Sequence, residues 1–180
     1  MSRLAKLAPA LAALTFALTA SAGGLEIKGS PTVKFTAIGP GGLKIDGTGD
    51  DLKAKEEGGK LIFKASLKNL KTGIALRDKH TKKYMGIDQW PDASLVIDKD
   101  KVKFPTDKKV SGKATGKFKL HGVTNEKQEF TYTAEKTDGG YSVGGKLTIN
   151  TDDYKIEQPC YLGVCVDKDI KIEVSFKLKE

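Results

Sequence analysis

Few residues in this 180-residue chain have side chains suited to chemistry. There are two histidines, His80 and His121, two cysteines, Cys160 and Cys165, and one compact polar cluster, Arg77-Asp78-Lys79-His80. Arg77 and His80 have the donors to meet a polar ligand headgroup. Alternatively, Asp78 and Arg77 cap and pin a short helix while His80 packs on a wall, and we favour that structural role. His121 stands before Gly122 at a strand end, where it either fixes the turn by bonding a backbone carbonyl or lines a cavity. Two histidines on separate elements fall short of the four nitrogen or sulfur ligands of a closed zinc site. The sequence contains no G-x-S-x-G, H-E-x-x-H, P-loop or dinucleotide fingerprint. We therefore expect neither catalysis nor a required cofactor.

Cys160 and Cys165 flank four residues, Tyr161-Leu162-Gly163-Val164. A loop of that length places its flanking residues opposite each other across a hairpin, at about 4.5–5.5 Å between α-carbons, which is within disulfide reach. C-x-x-C spacing, the mark of a redox pair, is absent.

The elements that must hold these residues are strands. Val33, Phe35 and Ala37 alternate with polar neighbours, as do Gly112, Ala114, Gly116, Phe118 and Leu120. Tyr141 to Ile149 and Ile170 to Leu178 repeat the pattern, which marks antiparallel sheet with one wet face. Gly41-Gly42, Gly58-Gly59 and Asp138-Gly139-Gly140 punctuate the runs with turns. About eight strands are predicted, over 25–38, 42–55, 60–71, 93–104, 109–121, 127–136, 140–150 and 167–179. An all-β, eight-stranded antiparallel barrel follows, since closure removes exposed edges. The exception is 76–88, where Leu76, His80, Tyr84 and Ile87 fall on a helical stripe ended by Trp90-Pro91. This predicts a short helix between the third and fourth strands, placed to close a barrel mouth.

Composition bounds the rest. Apolar residues make up 38% and charged residues 30% of the chain, as in one globular domain. Arg3 and Lys6, an apolar run from Leu7 to Ala20, and Ala20-Ser21-Ala22 have the layout of a cleaved signal peptide over 1–22. The binding domain would then span 23–180, in the periplasm or outside the cell, where a disulfide persists. Without the leader, 29 basic residues face 23 acidic ones, a net charge of +6. The lysines alternate with apolar residues on wet strand faces, and only two of the 31 basic residues of the full chain are Arg. Nucleic acid is therefore not an expected partner. Peripheral contact with an anionic membrane surface remains open, and nothing in the sequence sets the oligomeric state.

A barrel of this size is either packed by its own side chains or holds one small ligand. Gly112, Ala114 and Gly116 share one face of the fifth strand. If that face is inward they leave space for a ligand; equally, they permit close packing of neighbouring strands. Candidate lining residues are Phe35, Phe63, Leu76, His80, Tyr84, Met85, Trp90 and Phe118, together with those three small residues.

Three segments resemble one family in order and spacing. Thr72-Gly73, Arg77-Asp78-Lys79-His80, Tyr84-Met85 and Trp90-Pro91 resemble the signature segment of YceI-like proteins. Gly116 to Thr124, with its His121-Gly122-Val123-Thr124, is similar to a second signature, and Asp153 to Ile156 with Val166 to Ile172 to the last elements. The resemblance implies a lipocalin-like barrel that binds a long isoprenoid lipid, such as a quinone or polyprenyl tail. Two other readings stand beside it: an envelope enzyme acting on a small substrate, marked by a polar pocket joining Arg77, His80 and His121, and a filled barrel serving as a stress-response or interaction module.

Thiol titration of the exported protein under denaturing conditions is expected to find no free thiol. Two free thiols in freshly isolated protein would refute the Cys160–Cys165 pairing.

Overall fold

In a computed structural model of the protein, residues 25–179 are described, and the leader expected over 1–22 lies outside them. The chain runs β1 (Glu26–Ile38), β2 (Lys44–Gly49), β3 (Leu52–Glu57), β4 (Lys60–Ser66), α1 (Ala75–Tyr84), β5 (Asp92–Asp98), β6 (Lys109–Leu120), β7 (Val123–Thr137), β8 (Gly140–Asn150), β9 (Cys160–Tyr161), β10 (Val164–Cys165) and β11 (Asp169–Lys179). Nine of the strands form one antiparallel sheet in the order β2-β1-β11-β8-β7-β6-β5-β4-β3, and β9 with β10 forms a separate ribbon.

Two expectations need correction. The sheet has nine strands rather than eight, because the run expected over 42–55 is interrupted at Asp50-Asp51 and becomes β2 and β3. It also curls without closing, since no ladder joins β2 to β3. At this seam the Thr48 amide donates to the Lys71 carbonyl at 2.8 Å, and the Lys71 amide returns the bond at 2.9 Å. The chain after β4 thus covers part of the β2 edge. The β3 edge carries Lys53, Lys55, Glu56 and Glu57, charges that discourage pairing with another chain.

Alternation decides which face is inside. Val33, Leu61, Ile97, Phe118, Phe130 and Phe176 are buried on the inner face, while Lys113, Lys117 and Lys119 of β6 are exposed. The connections β1–β2, β4–β5, β6–β7 and β8–β11 gather at one end of the sheet, called here the upper end.

The helix is shorter than the 76–88 expected, and proline is not what stops it. Gly86 takes φ 54°, the left-handed conformation that terminates helices cheaply. Its amide bonds the Lys83 carbonyl and the Ile87 amide bonds the Lys82 carbonyl, which together form a Schellman closure. At the start of the helix, the Asp78 carboxylate accepts from both the Thr72 amide and the Thr72 hydroxyl, each at 2.6 Å. The Thr72 hydroxyl foremost, then its amide, holds that carboxyl below the usual carboxylate range. Asp78 thus pins the helix to the preceding loop.

A polar knot fixes the upper end. Tyr154 is fully buried, and its hydroxyl donates to Gln128 Oε1 at 3.0 Å. Gln128 Nε2 donates to the Glu129 and Thr148 carbonyls at 3.0 Å each. His121 Nδ1 donates to the Tyr154 carbonyl at 3.0 Å, and its ring lies 4.1 Å from that of Trp90. Of the two roles open to His121, the structure shows the turn-fixing one.

Burial pushes the Tyr154 phenol up to about 12. In the unfolded chain it ionises near pH ~10, so the unfolded state loses its proton first as pH rises. Stability present below that pH is then lost on the way to about pH 12. Tyr154→Phe is expected to cost about 1–2 kcal/mol at neutral pH, because Gln128 loses a buried donor. In urea titrations the gap between parent and variant should narrow through the alkaline range, whereas a constant gap would count against the assignment.

Candidate functional site

The inner faces of the strands meet only in places, as where Phe63 of β4 and Phe176 of β11 lie with ring centroids 5.5 Å apart. Buried apolar residues form three clusters, one around Phe118 and Leu120, one around Val33 and Phe176, and one around Leu61 and Phe130. Between them lies a cavity of about 610 Å³, within the ~300–1,000 Å³ range of small-molecule sites. Its middle is walled by Phe35, Phe63, Leu95, Phe118, Leu147 and Ile172. Val102 and Phe104 border the lower end, where Phe104 stacks edge-on against Tyr141 at 5.2 Å.

The upper end carries most of the polar groups of the site, with Lys103 at the lower end and Lys146 on β8 as the charged exceptions. Helix α1 presents Arg77, His80, Thr81, Tyr84 and Met85 to the cavity, and the β9–β10 ribbon with its flanks adds Pro159, Cys160 and Val164. Pro40, His80, Cys160, Val164 and Asp167 are both wall residues and solvent-exposed, so the cavity opens here. The ribbon is closed by the disulfide between Cys160 and Cys165, whose α-carbons are directly opposed at 4.0 Å, nearer than the separation expected from sequence. The Asp167 amide donates to the Ile38 carbonyl at 2.7 Å and ties the ribbon's exit to the end of β1.

Of the candidates read from sequence, Phe35, Phe63, His80, Tyr84, Met85 and Phe118 lie on this wall. Leu76, Trp90, Gly112, Ala114 and Gly116 do not. Leu76 is 64% exposed, because the face that α1 turns inward runs through Arg77, Thr81, Tyr84 and Met85, about one residue later than the predicted stripe. Trp90 packs on His121 instead. The small residues of β6 do face inward, but neighbours occupy the space above them. The Tyr132 ring lies over Gly112, and its hydroxyl accepts the Lys103 amide at 2.8 Å. Ala114 packs with Leu61, Ile97 and Phe130. A Cβ on Gly116 would lie 2.8 Å from the Val96 carbonyl oxygen and 2.9 Å from Leu95 Cδ1. Of the two readings of these residues, close strand packing is the one the structure shows.

Sequence reading missed Leu95, Tyr132, Leu147 and Ile172 on the wall. The alternation of β8 and β11 already placed Leu147 and Ile172 on an inner face. Nothing in it separated wall from packed core.

The arrangement is suited to holding an apolar chain. Arg77 and His80 reach the cavity from α1, but His121 is turned into the Trp90 and Tyr154 knot, so the three do not converge on one polar pocket. Among the described residues, no group of three or more His, Cys, Asp or Glu side chains is placed to hold a metal ion.

The model of the YceI-like domain matches residues 32–178. A polyisoprenoid-binding domain from Saccharophagus degradans, implicated in plant cell wall breakdown, has a similar structure, with a TM-score of 0.71 at 12% identity over 87% of this chain and 97% of that one. BcnA of Burkholderia cenocepacia follows with a TM-score of 0.65 at 13% identity, over 82% and 95% of the two chains. The YCEI protein of Campylobacter jejuni gives 0.51 at 21% identity, over 76% and 85%. No curated protein sequence matches the chain.

Close packing at Gly116 makes a testable ranking. Its φ is not in the left-handed region, so an added methyl meets crowding by neighbours rather than backbone strain. Gly116→Ala is expected to cost ~1–3 kcal/mol through overpacking against an immovable carbonyl. Gly112→Ala meets only the outer atoms of the Tyr132 ring and should cost less. Thermal midpoints that reverse this order would show that β5 and β6 are not in close approach at Gly116.

Proposed function

The chain belongs to the YceI-like domain family, and from that premise we propose that it binds an isoprenoid lipid, such as a quinone or polyprenyl tail, in the cavity within its curled sheet. The observation that carries the reading is the cavity itself: about 610 Å³ walled mainly by Phe, Leu, Ile and Val, with most of its polar side chains at the upper end. An isoprenoid tail has no hydrogen-bonding groups and needs apolar walls along its length. Burial of the tail is favourable by ~0.8 kcal/mol per CH₂, so several isoprene units exceed the ~4–15 kcal/mol lost on association. The similarity to a polyisoprenoid-binding domain supports the same class of ligand. A filled barrel acting only as an interaction module would lack this space.

Function here is sequestration and carriage rather than catalysis. Arg77 and His80 would meet whatever polar head the tail carries, and α1 would control access. The leader-like residues Arg3, Lys6 and Ala20-Ser21-Ala22 support work in the periplasm or outside the cell, where a carrier shields such tails from water.

Native mass spectrometry of protein purified from its own host should find a retained lipid mass. Ala65 is a half-buried wall residue between inward positions of β4, so Ala65→Phe adds bulk where a tail would lie. The variant is expected to stay folded, with its thermal midpoint within a few degrees of the parent, and to lose the lipid. Equal retention by variant and parent would place the ligand elsewhere.

A further inference from the structure

The exposed large hydrophobic residues of the described chain are Leu43, Ile74, Leu76, Leu162 and Val164. All five lie at the upper end of the sheet: Leu43 on the β1–β2 connection, Ile74 and Leu76 at the start of α1, and Leu162 and Val164 on the β9–β10 ribbon. The lower end, with its own turns and connections, has none of them. Apolar side chains left in water at one end only, around the opening of an apolar cavity, mark an interaction face.

The ribbon goes further than exposure. Residues 158–166 read Gln-Pro-Cys-Tyr-Leu-Gly-Val-Cys-Val, a stretch without charge in a chain that is 30% charged. Its tip is Leu162-Gly163, with φ values of 49° and 78°. Two positive φ values in a two-residue hairpin turn favour Asn-Gly or Gly-Gly, and a leucine there costs backbone energy. Leu162 is nonetheless 84% exposed and so gains nothing by burial within the chain. A conformational cost with no internal return points to a role outside the chain. The disulfide holds the two short strands together behind this tip.

Charge identifies what the face meets. Helix α1 carries Arg77, Lys79, Lys82 and Lys83 within ten residues, against Asp78 alone. The Asp78 carboxylate is hydrogen-bonded by Thr72 and feels the Lys82 charge only at longer range, and among the described residues Lys79, Lys82 and Lys83 form no close ion pair with a carboxylate. An uncharged tip with a protruding leucine beside a helix that carries four basic residues against one carboxylate fits an anionic bilayer, with Leu162 at the boundary of headgroups and acyl chains and the lysines on lipid phosphates.

We propose that the upper end is a membrane-docking face that sets the cavity opening against an anionic bilayer. This rests on the lipid-carrier reading for its purpose: a tail then passes between bilayer and cavity without crossing water. Its evidence is separate, since neither Leu162 nor the three lysines line the cavity.

The test is co-sedimentation with vesicles of phosphatidylcholine containing about one third phosphatidylglycerol, with pure phosphatidylcholine vesicles alongside. The parent should bind the anionic vesicles and be released by salt. Leu162→Asn removes the apolar group while placing a residue that tolerates the left-handed turn, so the thermal midpoint should hold or rise. Vesicle affinity should fall by about tenfold. Neutralising Lys79, Lys82 and Lys83 with Gln should lower it by about fivefold per lysine and flatten the salt dependence. Absence of parent binding, equal binding by Leu162→Asn, or vesicle-independent self-association abolished by Leu162→Asn would each overturn the proposal, the last by making the face an interface between copies. Native mass spectrometry of the same variants reports cavity loading independently. Retained lipid with lost docking supports the face, and docking without any lipid in parent or variants would count against the carrier reading alone.

Discussion

A curled sheet of nine strands encloses more space than the side chains of its inner face fill, although Phe63 and Phe176 touch within it at 5.5 Å. Eight strands already give an interior that side chains only just fill. Here Phe118, Phe176 and Phe130 anchor separate clusters instead of one core, and the space between them is the cavity. The space follows from the geometry of the sheet and does not require any side chain to be missing. Small residues are mixed guides to it: Gly145 of β8 lies on the wall, whereas Tyr132 and the β5 backbone come close to Gly112 and Gly116.

Leaving an apolar interior partly empty forgoes dispersion contacts, and the fold recovers stability at its upper end. There Tyr154, Gln128 and His121 bond one another and the surrounding backbone, with Phe118 edge-on to Tyr154 at 5.8 Å and Trp90 covering His121. Each polar atom of this knot that is cut off from water has a partner, so the knot carries little desolvation cost. It joins the β6–β7 turn to the chain leaving β8, and so holds two connections beside the opening in place.

Much of this was legible in the sequence because strand patterning is a local property. Period-two alternation gave the strands and their inner faces, the spacing of Cys160 and Cys165 gave the disulfide, and the resemblance of 72–91 and 116–124 pointed to the family that the model match over 32–178 shows. What escaped depended on distance in space. The break at Asp50-Asp51 does not reverse the chain, so despite Gly47 and Gly49 beside it β2 and β3 read as one strand. The helical stripe was drawn through Leu76 because leucine is apolar, whereas the chain turns Arg77 inward and leaves Leu76 in water. The choice between wall and packed core at β6 depended on β5, which alternation along one strand cannot report.

Helix α1 contains no buried residue and has no side-chain cap at its first turn. Its hold on the body comes chiefly from Asp78 on Thr72 and the Schellman closure into buried Ile87. An element attached by so little apolar contact opens at a free energy well below that of the whole fold, as a local unit rather than as part of global unfolding. On the proposed reading, occupancy of the cavity and integrity of the sheet are thereby separated: the residence time of a buried tail would be governed by helix opening, while the lifetime of the folded chain is governed by the sheet. Exchange can be fast in a protein that is itself long-lived, and sequence changes in α1 can tune one without eroding the other.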